Sequence, residues 1–292
     1  MLRSMPEEDR WVVVDAGVQL AVRVFERPSA GAPDLLLHHG LASSQRVWDQ
    51  MLPRLRRRAR VVTYDARGHG LSRKPDRGYG FDHIVADALA VVRATRSRRP
   101  IIVGHSWGAM VALELAARHP GAIGGAVLVD GGLHRMRDEM TWLEAKRSLA
   151  PPHLDGMPLE EFRGLMRTFT ADSVDLTPEL EAQMLAVMRV RPDGTIAPRL
   201  ARSNHFRILR AIWEQEPDEL WARVQGPVLA IVAHGVDAER DEHSRRAVRR
   251  VRDLTRGRAV RIAWMRGIHD LPLQHPDALA ERIERFARSA VG

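Results

Sequence analysis

The chain has 292 residues, of which 45% are hydrophobic, so it can form one large α/β domain or a core domain with an insertion. It contains no cysteine, which excludes disulfides, thiolate metal sites and a cysteine nucleophile. The net charge of +8 comes almost entirely from arginine, in dispersed clusters without interleaved aromatic residues, which favours solvated helix faces over a nucleic-acid surface.

Apolar runs alternate with helical patterns over the first 132 residues. Apolar spacing predicts two strands within 11–25, further strands at 34–38, 59–65, 101–105 and 125–130, and helices at 47–55, at 81–95 and after residue 106. Strands that alternate with helices indicate an α/β fold, with a mostly parallel sheet covered by helices on both faces.

The pattern changes between residues 133 and 224, where we predict helices and loops and no strand. Predicted helices lie within 141–148, 159–169, 178–188 and 207–213, and a Pro-Asp-Gly turn at 192–194 separates two of them. Strands resume at 228–232 and 259–264, and a helix covers 277–289. We therefore predict a core domain from 1–132 and 225–292, and a helical cap or lid insertion from 133–224.

The segment Gly104-His105-Ser106-Trp107-Gly108 has the spacing G-x-S-x-G, between a β-branched strand and a helical pattern. A serine at such a strand–turn–helix junction is held in a strained conformation with its hydroxyl above the sheet edge. Flanking glycines are needed because strand and helix approach closely there. The alternative is an ordinary glycine-rich turn with a capping serine. The context favours Ser106 as a nucleophile.

A serine hydroxyl needs a positioned base, and the base needs a carboxylate to orient it. His269 lies in the loop after the last predicted strand, where it can reach over Ser106. Asp237, after the 228–232 strand, is our preferred acid, because the order serine, aspartate, histidine suits this architecture. Asp130, at the end of the strand after the serine helix, is the alternative acid.

Backbone N–H groups can stabilise an oxyanion that forms beside the serine. Gly40 permits a turn that directs the N–H of Leu41 into the pocket, and the N–H of Trp107 follows the serine directly. We predict these two groups as the oxyanion hole. His39, Trp107 and His205 are the candidate substrate contacts, although His205 could instead cap the helix that follows it.

These motifs resemble the α/β-hydrolase superfamily, in its lid-bearing serine esterase and C–C hydrolase-like branch. The resemblance covers 11–126 and 227–290, and it includes a D-x-R-G-x-G-x-S segment from Asp65 to Ser72, which is structural in that superfamily. Two spacings depart from the family pattern. Asp237 is shifted by a residue in the acid loop, and Ile268 is an extra residue before His269.

The resemblance implies a serine hydrolase of small-molecule esters, lactones or thioesters, acting through an acyl-enzyme without metal or cofactor. The alternatives are another reaction with the same triad (C–C bond hydrolysis, hydroxynitrile lysis, cofactor-free oxygenation or cyclisation) and a non-catalytic ligand-binding protein. The first ten residues lack the apolar segment of a signal peptide, so we expect a cytoplasmic protein that binds neither nucleic acid nor membrane. A homodimer is left open.

Overall fold

The computed structural model describes residues 7–15 and 17–291; the first six residues, including part of the segment searched for a signal peptide, lie outside this range. An eight-stranded sheet has the order β1-β2-β4-β3-β5-β6-β9-β10. These strands are β1 (Glu7–Asp15), β2 (Val18–Phe25), β3 (Asp34–His38), β4 (Arg60–Tyr64), β5 (Ile101–His105), β6 (Gly125–Val129), β9 (Val228–His234) and β10 (Val260–Arg266). Among the described strands of this sheet, β1–β2 and β2–β4 pair antiparallel, and the other neighbours pair parallel. The predicted fold class is confirmed.

Helices cover both faces of this sheet. They are α1 (Leu52–Leu55), α2 (Phe81–Ala94), α3 (Trp107–Arg118), α10 (Ala238–Leu254), α11 (Leu271–Gln274) and α12 (Pro276–Val291), with a 3-10 turn at Gln45–Trp48. One buried cluster joins the sheet to α2, α3 and α10, and a second joins its other face to α1 and α12. No helix within the described ranges is both long enough and apolar enough to cross a bilayer.

The segment between β6 and β9 holds α4 (Met136–Glu139), α5 (Trp142–Ser148), α6 (Leu159–Thr170), α7 (Pro178–Leu185), α8 (Arg202–Glu214) and α9 (Pro217–Trp221). It also holds a two-stranded antiparallel sheet, β7 (Met188–Val190) and β8 (Ile196–Pro198). The expectation of no strand here is therefore wrong. The strands have three residues each, too few to show an alternating apolar and polar pattern in the sequence. The predicted turn at 192–194 is the hairpin loop that joins them.

The segment from Asp65 to Ser72 is a structural brace beside the sheet. Asp65 accepts hydrogen bonds from the backbone N–H groups of Gln45, at 2.8 Å, and Leu71, at 2.9 Å. The buried Arg67 guanidinium donates two hydrogen bonds, of 2.6 and 2.7 Å, to the buried Asp87 carboxylate on α2. These contacts fix the loop between β4 and α2 and agree with the structural role that the resemblance implies.

Candidate active site

Ser106 lies at the sharp turn between β5 and α3, at the carboxyl edge of the parallel strands. Its backbone has φ 55° and ψ −117°, a conformation that costs on the order of 1–3 kcal/mol for a residue with a side chain. A Cβ on Gly104 would lie 1.9 Å from the carbonyl oxygen of Gly108, and a Cβ on Gly108 would lie 2.2 Å from that of His38. The predicted need for glycine on both sides of Ser106 is confirmed.

A cavity of about 530 Å³ opens beside Ser106. Its walls come from the core domain and from the segment 133–224, and most of the lining side chains are apolar. The residues that line it include Leu41, Ser106, Trp107, Met110, Asp130, His134, Met136, Glu139, Leu149, Pro151, His205, Leu209, Ile212 and His269. A larger cleft of about 670 Å³ lies elsewhere, beside Trp11, Arg46 and Met188, and contains none of the predicted site residues.

His269 is oriented by Asp130. The Nδ1 of His269 donates a hydrogen bond of 2.5 Å to Asp130 Oδ2, and Asp130 Oδ1 accepts 2.9 Å from the backbone N–H of Ala233. Burial by itself raises the pKa of Asp130, but the hydrogen bond and charge of His269, the Arg240 cation and the Ala233 N–H outweigh it, so the pKa lies below its ordinary value. The carboxylate is therefore held ionised in a largely buried position.

The preferred acid, Asp237, is not the partner of His269, which corrects the sequence prediction in favour of the alternative, Asp130. Asp237 lies at the N-terminus of α10, where its carboxylate accepts hydrogen bonds of 3.0 and 3.1 Å from the N–H groups of Glu239 and Arg240. An aspartate satisfies the free donors of a helix start in this way. The acidic residues that follow Asp237 were a sign of a capping position.

Leu41 and Trp107 both line the cavity beside Ser106. The N–H of Trp107 belongs to the first turn of α3, whose donors have no acceptor within the helix. The loop after β3 passes close to the serine, since a Cβ on Gly40 would lie 3.3 Å from Ser106 Cβ. The structure thus brings together the two predicted oxyanion donors, and their role remains a proposal.

His39 has a structural position, which corrects its assignment as a substrate contact. Its side chain is fully buried and is not among the residues that line the cavity. Its Nδ1 donates to the carbonyl of Gly40 at 2.7 Å, while its Nε2 accepts from the N–H of Ala66 at 3.0 Å. Burial lowers the pKa of His39 to about 4, so the ring is neutral and joins two loops behind the site.

Trp107 and His205 do lie on the cavity wall. The indole of Trp107 stacks on His69 with ring centroids 5.4 Å apart. His205, on α8, donates from Nε2 to the carbonyl of Leu149 at 3.0 Å. Its buried Nδ1 has no hydrogen-bond partner among residues 7–15 and 17–291. Burial lowers the pKa of His205.

Sequence reasoning missed two residues that touch the histidine. His105, just before the serine, donates a hydrogen bond from Nε2 to the carbonyl oxygen of His269 at 3.0 Å. This contact holds the loop that carries His269. Arg240 donates to the same Asp130 oxygen that His269 uses, and its Nη2 lies 3.4 Å from His269 Nδ1. The position of His105 at the end of β5 was a usable signal. Nothing in the local sequence marks Arg240.

Comparison of the sequence with known proteins finds a matching family model and similar proteins. The family model described as alpha/beta hydrolase fold matches residues 33–206. A non-heme chloroperoxidase of Streptomyces lividans is 30% identical over 72% of this chain and 75% of its own length. A 2-(acetamidomethylene)succinate hydrolase of Mesorhizobium japonicum is 32% identical over 46% of this chain, and the match spans about half of that relative, 47%.

The solved structures include one of the same overall fold. The crystal structure of E-2-(acetamidomethylene)succinate hydrolase superposes with a TM-score of 0.75 over 96% of this chain and 99% of that one. The sequence identity in that superposition is 21%, so the likeness concerns the fold alone.

The buried histidines behind the site predict that stability falls in mild acid. Burial lowers the pKa of His38 to about 3 and those of His39 and His105 to about 4, against about 6.5 in an unfolded chain. The unfolded chain then binds more protons below pH 6.5, so each histidine removes about 2 kcal/mol of stability between pH 7 and pH 5. Urea unfolding at both pH values measures this loss.

Two variants test the origin of the loss. We expect a smaller loss of stability in His39→Gln, and the same loss as in the wild type in His83→Gln, whose side chain lies on the exposed side of α2. Equal stability of the wild type at the two pH values would contradict the prediction.

Proposed function

Because this chain belongs to the alpha/beta hydrolase fold family, we propose that it is a serine hydrolase of small carboxylic esters, lactones or thioesters. The observation that carries the proposal is the His269–Asp130 hydrogen bond at the mouth of a cavity that also holds Ser106 in a strained turn. A positioned imidazole and carboxylate beside a half-buried serine that lines a cavity form the arrangement that activates a hydroxyl for acyl transfer.

Each residue has a definite part in the proposed reaction. Asp130 holds His269 by Nδ1, which leaves Nε2 to take the proton as Ser106 Oγ bonds to the substrate carbonyl carbon. The N–H groups of Leu41 and Trp107 stabilise the negative oxygen of the tetrahedral intermediate. The bond to the leaving group then breaks, and His269 gives its proton to that group. Water, deprotonated by His269, cleaves the acyl-enzyme and restores the serine.

The cavity favours compact substrates with apolar parts. Its walls include Met110 from the core, and Met136, Leu149, Leu209 and Ile212 from the segment 133–224. We propose that this segment acts as the lid over the site and selects the acyl or leaving group by shape.

A fluorophosphonate probe tests whether Ser106 is activated. We expect a single adduct on Ser106 by intact mass and peptide mapping, since such probes react with a serine deprotonated beside an oxyanion hole. Ser106→Ala should carry no adduct and should lose turnover of aryl esters. Turnover retained in Ser106→Ala would refute the mechanism, and folded wild-type protein that takes up no probe would favour a binding protein.

Paired aspartate variants test which carboxylate serves His269. Asp130→Asn should lower kcat by about 10⁴-fold, because an amide at this position stabilises the wrong imidazole tautomer. Asp237→Asn keeps the helix cap, so we expect its kcat within about twofold of the wild type and its stability unchanged. Steady-state kinetics on one aryl ester, with urea unfolding of each variant, measures both. A large loss of kcat in Asp237→Asn would reverse the assignment.

The chloroperoxidase relative makes peroxide chemistry the second candidate, since one fold can carry several reactions. Assays of the wild type in parallel discriminate between the two. A hydrolase should turn over short-chain aryl esters without peroxide. Chlorination that depends on peroxide and chloride, is lost in Ser106→Ala and is accompanied by no ester turnover would replace the hydrolase proposal.

A further inference from the structure

A second group of polar side chains lies at the rim of the cavity and has no part in the proposed hydrolysis. His134 and Glu139 lie at the start of the segment 133–224, and His243 lies on α10 of the core. One ligand atom from each of the three lies within 4.8 Å of those of the other two. Glu139 Oε1 is 3.5 Å from His134 Nδ1 and 2.7 Å from His243 Nε2.

These spacings suit one small cation. Imidazole nitrogens and carboxylate oxygens bind Zn²⁺ at about 2.0–2.2 Å, so ligands around a tetrahedral ion lie roughly 3.4 Å apart. The separation of His134 and Glu139 already has this value, that of Glu139 and His243 is shorter, and the two imidazole ligand atoms lie within 4.8 Å of each other, so binding requires the side chains to rearrange around the ion. Two histidines and a carboxylate leave a fourth position for water or a substrate group.

Within the group, His243 Nε2 donates a hydrogen bond to Glu139 Oε1, whereas His134 Nδ1 is not paired in this way. The two imidazole rings stack with centroids 4.5 Å apart and planes 21° from parallel. His134 Nδ1 is buried and makes no hydrogen bond within the described part of the chain.

The surrounding charge favours a cation as well. A surface pocket of about 590 Å³ contains the group and is lined in addition by the carboxylates of Asp138, Asp237 and Glu239 and by Arg240, while Arg135 pairs with Asp138 at 3.2 Å. A cluster of one sign concentrates ions of the opposite sign at the site.

We propose that His134, Glu139 and His243 bind a divalent transition-metal ion of the Zn²⁺ class. The ion joins the start of the segment 133–224 to α10 at the mouth of the cavity, because two ligands come from that segment and one from the core. The proposal is independent of the hydrolase mechanism, since none of the three residues is placed in the triad or the oxyanion hole.

Zinc binding to the chelator-treated full-length chain tests the site. Isothermal titration calorimetry should give one tight Zn²⁺ per chain, and added Zn²⁺ should raise the melting temperature. We expect His243→Ala and the nearly isosteric Glu139→Gln to weaken binding by roughly 100-fold, because each removes a direct ligand. His83→Ala, which removes an exposed histidine on α2, is the matched control and should bind as the wild type does.

Hydrogen exchange tests the link between the two parts of the chain. Zn²⁺ should slow exchange over residues 133–140 and the first turns of α10 in the wild type, and should leave exchange unchanged in Glu139→Gln. Ser106→Ala should still bind Zn²⁺, so a failed hydrolase proposal and a failed metal site give different results. Equal Zn²⁺ affinity in the wild type and both ligand variants, or no tight binding by the wild type, would overturn the proposal and leave an imidazole–carboxylate ion pair.

Discussion

The close approach of backbone segments around Ser106 is the constraint on which the site depends. Glycines at 104 and 108 let β5 and α3 meet with no room for a Cβ, and a Cβ on Gly131 would lie 2.3 Å from the Ser106 carbonyl oxygen. The strain at the serine is maintained because the buried strand β5 precedes it and the buried helix α3 follows it. The same packing brings the loops after β3 and β6 to the hydroxyl, so one tight turn sets the positions of Leu41 and Asp130.

The hydrogen bond between His269 and Asp130 depends on the negative charge of the Asp130 carboxylate, which burial alone would disfavour. Asp130 is nearly inaccessible, yet it keeps a lowered pKa because His269, Arg240 and the Ala233 N–H all contact its two oxygens. Arg240 and His269 share one of these oxygens. The guanidinium helps to keep the carboxylate ionised, and its Nη2 lies 3.4 Å from the Nδ1 of the imidazole.

Local pattern predicted the sheet, the serine turn and the histidine loop, because strand periodicity and glycine spacing are properties of neighbouring residues. It did not identify the acid. Asp130 and Asp237 both follow buried strands, and only the adjacency of β6 to β5 and the capping of α10 by Asp237 distinguish them. The role of His39 was missed for a similar reason, since its partner Ala66 lies 27 residues away. The roles of these residues depend on contacts between segments that are distant in the chain, and a pattern of neighbouring residues does not show such contacts.

In the described chain, the proposed reacting groups and much of the cavity wall lie on different segments. Ser106, His269 and Asp130 all belong to the loops that follow β5, β10 and β6 of the core, whereas much of the apolar cavity wall comes from the segment 133–224. A change in that segment can therefore alter the shape of the cavity while the reacting groups keep their places. The histidines and glutamate at its start lie where the two parts meet, so an ion bound there would act on the cavity wall while the nucleophile stays in place.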